Sequence, residues 1–328
     1  MSTTQERPGL VAGMDGRRRT GKGEHALVPD VEVRTYYDRP VLKQPTWKHW
    51  IPEYLFLGGL SAGSSLLAFG ATLTGRRTLA RRARIAAVGA IGAGTAALIA
   101  DLGRPARAAN MLRVAKVTSP LNVGSWLLTF YAPAAGVAAA ADVFGVLPGV
   151  RTAAQVGAAV LAPGVATYTA VVFADTSLPA WHGARRELPF LFAAGAGASA
   201  GALGLLLAPA EENGPARRWA VAGALGEVAV SSLMERRLGE QGEPYRHGRA
   251  GWISKVANAC ALAGAAVGLR RGGRRGGALL AGALVFTGSL LERYAVMEAG
   301  KQSAAEPKYV VKAQRERLAE REREAPPA

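Results

Sequence analysis

Long apolar stretches alternate with short charged ones along this chain, and the alternation predicts its elements. Eight stretches carry little charge, at about residues 51–73, 85–100, 123–144, 153–174, 188–208, 219–238, 252–269 and 278–297. Each approaches the roughly 20 residues with which a helix crosses a ~30 Å hydrocarbon core. Trp47, Trp50 and Tyr54 cluster at the first start, where amphipathic rings favour headgroup depth. Glycine, alanine and serine fill the interiors, among them Gly89, Gly92 and Gly94, and Gly195, Gly197, Ser199 and Gly201. Small side chains let helices approach closely in lipid. The pattern predicts an all-α integral membrane protein of about eight transmembrane helices, arranged as two four-helix halves. Residues 1–48 read as a polar N-terminal tail, 49–299 as the transmembrane domain and 300–328 as a charged C-terminal tail.

An even number of spans puts both termini on one side, side A, together with the connections after spans two, four and six. Side B then holds Arg76, Arg77, Arg81, Arg82 and Arg84 in one short loop, and Arg270, Arg271, Arg274 and Arg275 in another. The positive-inside rule weights short loops, which leans toward a cytoplasmic side B.

Composition sharpens this only in part. The 328 residues are 49% hydrophobic with a mean hydropathy of +0.11, values a soluble domain could also reach, so the arrangement decides. A net charge of +16 raises nucleic-acid binding, but no zinc spacing, aromatic RNA-binding motif or basic zipper accompanies it. The arginines lie at the ends of apolar runs, where they anchor helices at the headgroups. No early apolar segment reads as a cleaved signal, so the first span is expected to direct insertion. The lone Cys260 reads as a packing residue and cannot form an iron–sulfur site. The four histidines, His25, His49, His182 and His247, fall in tails, loops or helix ends, so no facing pair is available for a membrane haem. No metal site is expected.

The polar residues that interrupt the apolar pattern share one depth. Glu53 opens span one, Asp101 and Arg104 follow span two, Asn122 and Ser125 open span three, and Tyr168 and Asp175 close span four. Helix direction alternates, yet all fall toward side A. Ionisable groups at membrane depth are costly unless they face protein or water, so a polar pocket among spans one to four is expected. His49 and Glu53, spaced i, i+4, share a helix face. A helix cap explains Asp101 at least as well as chemistry does. Glu227 lies mid-span in span six, with Glu235, Lys255, Glu292 and Arg293 toward side A in spans six to eight. Glu227 reads either as an ion site or proton relay, or as half of a structural pair with Lys255 or Arg293.

Several separated motifs, in order, resemble one family. Asp101-Leu-Gly-Arg-Pro105, Asn110-Met-Leu-Arg113, Thr118-Ser-Pro120 and Gly124-Ser-Trp126 look like the NrfD / polysulphide-reductase membrane subunits. So do Trp50-Ile-Pro-Glu-Tyr-Leu-Phe-Leu-Gly-Gly-Leu60, then Tyr168, Asp175 and Pro179-Ala-Trp181, and Leu291-Glu-Arg293 with Ala299-Gly-Lys301. The likeness spans about residues 35–312. It implies a haem-free anchor, without an iron–sulfur cluster of its own, in the membrane of an anaerobic-respiration type complex such as formate dehydrogenase or polysulphide reductase. Its partners would be a ferredoxin-like iron–sulfur subunit and a molybdopterin catalytic subunit. Electrons would pass between the partner's cluster and a quinone, menaquinone or ubiquinone, held among the first four helices on the extracytoplasmic side. On that reading Tyr168 donates to a quinone carbonyl, and His49 or Glu53 serves the other carbonyl or relays protons. Asp175 and Asp101 feed protons or hold Arg104, and Asn122 and Ser125 line the pocket. The competing readings are a secondary transporter built on Glu227 and a purely structural anchor. The substrate of the soluble enzyme is chosen in the partner.

Overall fold

A computed structural model describes residues 41–104, 106–311, 314–315 and 323. The N-terminal tail with His25, Tyr36, Tyr37 and Pro40, the motif residue Pro105 and most of the charged tail beyond Val311 lie outside the described residues. Among the described residues there are eight long helices and no strand. They are α1 (Trp50–Leu73), α2 (Arg77–Asp101), α3 (Pro120–Phe144), α4 (Pro148–Ala174), α5 (Leu188–Leu207), α6 (Gly214–Leu238), α7 (Gly248–Arg271) and α8 (Arg275–Ala305). Seven are long and apolar enough to cross a membrane. The eighth, α6, carries Glu227, Glu235, Arg236 and Arg237, yet it packs between α5 and α7 inside the same bundle. The chain is an all-α membrane protein, and its eight long helices agree with about eight spans.

The helices close into two four-membered rings. In the first, α1 packs on α2, α2 on α3, α3 on α4, and α4 back on α1; in the second, α5 to α8 repeat the cycle. The rings meet where α1 lies against α5 and α8, and α4 against α5. Backbone approach there requires the small residues. A Cβ at Gly63 would run into the backbone of Ala196; within the second ring, one at Gly223 would run into that of Ala198.

Helix ends obey local rules. Proline occupies the first turn of α3, α4, α5 and α6, where its missing N–H costs nothing. Helix α2 starts two turns before the apolar run. Four of the five arginines expected in the loop, Arg77, Arg81, Arg82 and Arg84, stand on the helix itself. Hydropathy misses those turns because it does not register that arginine is a good helix former. The carboxylate of Glu212 accepts a hydrogen bond from Leu79 N–H at 2.8 Å, so an anion meets the positive helix end. Burial opposes its charge, but the bonds from Leu79 and Thr78 and the nearby Arg76 hold the Glu212 carboxyl below the ordinary range.

The two membrane sides differ. Side B connections are the tight links at residues 74–76, 145–147, 208–213 and 272–274. Those on side A, at 102–119, 175–187 and 239–247, are longer and carry short helices. Trp181 is the hub of that side. Its ring is fully buried, stacks on Trp47 at 5.8 Å, meets Phe173 edge-on at 4.2 Å, and donates to the Val296 carbonyl at 2.7 Å. Gly300 has no side chain because a Cβ there would fall on this indole.

Beyond α8 the chain is pinned to side A by Lys308, whose ammonium lies 2.9 Å from Glu243, while Tyr309 donates to the same carboxylate at 3.2 Å. The bond from Lys308 holds the Glu243 carboxyl below the usual range, with Tyr309 and His247 adding to it. A depressed carboxyl contributes above its unfolded value, about 4.3, and loses that contribution as pH falls through the folded one. Limited proteolysis near Val310 is therefore expected to accelerate below about pH 4, and earlier at high salt because the pair is exposed. A cleavage rate flat across that range would contradict the clamp.

Candidate functional site

The predicted polar residues gather at the side A end of the first ring, and several of them are engaged as fasteners. Asp101 ends α2 and accepts the Lys48 backbone N–H at 3.2 Å, tying the segment before α1 to α2. Asn122 uses its whole amide on the loop before α3. It accepts from Lys116 N–H at 2.6 Å and donates to the carbonyls of Met111 and Val114 at 2.9 and 2.8 Å. Ser125 donates to Leu121 O one turn back and faces the Met111 sulfur at 3.7 Å. Asn122→Ala should therefore loosen residues 111–116, at about 1 kcal/mol, because the Met111 carbonyl and the Lys116 N–H lose their partner and the Val114 carbonyl keeps only Trp126 Nε1. Hydrogen exchange of Lys116 N–H would report it, and unchanged protection would refute the fastener role.

Tyr168 is the exception. It lies two turns before the end of α4, in one apolar cluster with Ile51, Tyr54 and Ala97, with Trp50, Leu98 and Leu127 packed alongside. Its side chain is 9% exposed, and its hydroxyl is buried without a hydrogen-bond partner. Such orphans are rare in folded chains, and each calls for an explanation such as a strained contact, a water or a bound group. The ring fits only because α3 carries Gly124 opposite: a Cβ there would overlap two ring carbons of Tyr168. That is the physical reason for glycine in the Gly124-Ser-Trp126 motif.

The remaining expected residues lie around this point. Glu53, half-buried in the first turn of α1, accepts from Tyr294 Oη of α8 at 3.1 Å, so it sits where the two rings meet. His49 is exposed just before α1, its ring 4.3 Å from that of Trp50. Asp175 caps the end of α4 and is exposed, as is Arg104. Among the described residues, neither Asp101 nor Asp175 forms an ion pair with Arg104.

Two polar networks in this ring escape a hydropathy reading. Tyr131 Oη lies 2.8 Å from both Ser61 Oγ and Ser65 Oγ, fully buried. Nearer side B, the Arg84 guanidinium pairs with Asp142 at 2.8 Å and donates to Gln155 and Thr72 at 3.2 and 2.9 Å; Arg151 reaches the same Asp142 at 3.2 Å. This network joins all four helices of the ring. The signal was present as an Asp and a Gln inside apolar runs, but Arg84 was assigned to a loop.

Between the rings lies an apolar crevice of about 350 Å³, lined by Gly63, Pro163, Thr167, Gly197 and Trp219 among others. Its one hydroxyl, on Thr167, already donates to Pro163 O at 2.8 Å. The crevice has room for a chain, and its one hydroxyl is already engaged. Glu227 lies in the second ring, paired with Arg293 at 3.5 Å.

The family model described as polysulphide reductase, NrfD, matches residues 42–218, more than half of the chain. The chain belongs to the NrfD family. The match covers the whole first ring, including Tyr168, Gly124, Asp101 and the Trp181 hub, and ends within the first turns of α6. It makes this NrfD chain a multi-pass membrane subunit of polysulphide-reductase type complexes. No individual curated protein matches the chain.

Proposed function

We propose that the chain passes electrons between an iron–sulfur subunit docked on side A and the membrane quinone pool, with the quinone head group held at Tyr168. The observation that carries this reading is the buried Tyr168 hydroxyl without a partner. Quinone reduction to quinol takes up two electrons and two protons, so each carbonyl oxygen needs a hydrogen bond as negative charge develops and a proton afterwards. Tyr168 donates the bond to one carbonyl. Glu53, at the junction of the rings, and His49, one turn before it at the surface, exchange protons with water on side A. Asp175 and Arg104, exposed on the same side, set the charge at the mouth. Asp101, Asn122 and Ser125 shape the site by fixing its rim.

The electrons come from or go to a ferredoxin-like iron–sulfur subunit, and beyond it a molybdopterin enzyme of formate dehydrogenase or polysulphide reductase type. Side A is read as the extracytoplasmic face of the cytoplasmic membrane, a reading supported by the arginines in and beside the short side B links, Arg76, Arg77, Arg270, Arg271, Arg274 and Arg275. The alternative of a solute transporter built on Glu227 is disfavoured by that carboxylate's pairing with Arg293 and Ser289.

The reading is tested by solubilising membranes in mild detergent and isolating the complex that contains this chain. An iron–sulfur protein and a molybdopterin enzyme should co-purify, and the complex should oxidise or reduce quinone. Recovery of the chain alone, with no quinone-linked activity in the membranes, would overturn it.

A further inference from the structure

The second ring holds an ionic cluster for which the quinone reaction has no use. Glu227 and Ser231 project from α6, and Ser289, Glu292 and Arg293 from α8. All five are buried, the three ionisable ones to 2% exposure or less. Arg293 forms its ion pair with Glu227, while its Nε and Nη1 are buried without a hydrogen-bond partner. Its guanidinium lies 3.5 Å from Glu227 Oε1, donates to the Phe192 carbonyl at 3.2 Å and covers the Phe192 ring at 4.2 Å. Ser289 adds a hydroxyl 3.3 Å from the same Glu227 oxygen. The place is built for this pair: Gly195 on α5 lacks a side chain where a Cβ would overlap both Glu227 and Arg293.

Glu292 is left over. Its Oε1 accepts only from Ser231 at 3.2 Å, and its Oε2 is buried with no partner. The cluster therefore contains two carboxyls and one guanidinium. A carboxylate without a cation of its own is not sustained inside an apolar bundle; it takes a proton instead. The like charge of Glu227 nearby weighs the same way.

A route leads out of the cluster. Glu227, Ser231 and Glu235 are spaced i, i+4, i+8 on α6, so they lie on one face, and the helix rises about 12 Å toward side A over those eight residues. Glu235 is half-buried at the side A end, within the field of Arg246 and of Lys255 on α7. The groups that act on Glu292 are Glu227 and Glu235 from α6 and Arg293 beside it on α8. Tyr245, on the short helix Glu243–Arg246, is in turn within the field of Glu292 and Glu235.

We propose that Glu292 is a second proton-handling site, distinct from the quinone site: a buried carboxyl that carries a proton at rest and exchanges it with side A through Ser231 and Glu235. In that exchange the Glu292 O–H proton leaves to Glu235 and on to water, Arg293 then facing two carboxylates, and the reverse step restores the neutral acid. Glu227 is the fixed counter-charge of Arg293 and not the carrier. The inference does not depend on the quinone reading.

Infrared spectroscopy of the isolated complex in lipid at neutral pH tests it. The spectrum should contain the C=O band of a protonated carboxyl that shifts on transfer to D2O. That band should vanish in Glu292→Gln, move in Glu292→Asp, and stay in place in Glu227→Asp, which keeps the charge pair. In Glu235→Leu the band should remain, but its D2O shift should be slowed. A wild-type band that survives Glu292→Gln, or its absence from the wild type, would overturn the assignment. A band that never shifts in D2O, or shifts as fast in Glu235→Leu, would overturn the route.

Discussion

Tyr168→Phe is expected to lower quinone-linked turnover of the assembled complex about a hundredfold, with no loss of stability. The two halves of that statement come from one observation. The hydroxyl is buried and has no partner within the chain. Removing it leaves no donor or acceptor stranded, and removing a desolvated, unpaired polar group is neutral or slightly stabilising. The ring stays against Gly124, so packing is kept. What disappears is a hydrogen bond that strengthens as the quinone oxygen gains charge, and such a bond acts on the rate more than on ground-state binding. Turnover and thermal unfolding measured on the same preparation separate the two. Unchanged turnover and unchanged quinone affinity would remove Tyr168 from the chemistry and favour a purely structural anchor.

Arg293→Leu is expected to have the opposite signature, a loss of stability of about 3–5 kcal/mol. The change removes the counter-charge of Glu227, a hydrogen bond to the Phe192 carbonyl and the cation over the Phe192 ring, all in the buried interior of the second ring. Glu227→Gln introduced together with Arg293→Leu should recover much of the loss, since the stranded carboxylate is then gone and only the pair's net contribution is missing. Unfolding of the purified chain in detergent, followed for the single and double variants, reads this directly. A single variant as stable as the wild type would mean that the pair is not formed.

Much of this architecture is legible in the sequence because a membrane forces it. Apolar length places seven of the helices, the charge-bearing α6 completes the set of eight, and direction follows from counting, which brings residues as far apart as Glu53, Asp101, Asn122 and Tyr168 to one side. The errors come from charge. Arg84 reads as loop because hydropathy treats any arginine as an end, whereas the structure buries it against Asp142 and Gln155. Helix α8 likewise outlasts its apolar run at residues 278–297, continuing to Ala305 through Glu298 and Lys301, which pair one turn apart. At the site, depth predicts which residues are near one another but not what each one touches. Asn122 and Asp101 have the chemistry of ligands and are engaged as fasteners, a fact set by the fold of the loop before α3 and the segment before α1. Glu227 was readable as half of a pair, and Arg293 is the other half. That Glu292 is the unpaired member depends on side-chain direction, on which the one-dimensional pattern is silent.

The central claim is that the quinone head group meets the chain at Tyr168, between α3 and α4. Labelling the isolated complex with a photoreactive quinone, followed by peptide mapping, tests it most directly. Adducts should fall on α3 and α4 around Gly124 and Tyr168, and Gly124→Leu should abolish them, because its side chain would displace the Tyr168 ring from its place. Adducts confined to the apolar crevice around Pro163 and Trp219, unaffected by Gly124→Leu, would contradict the claim.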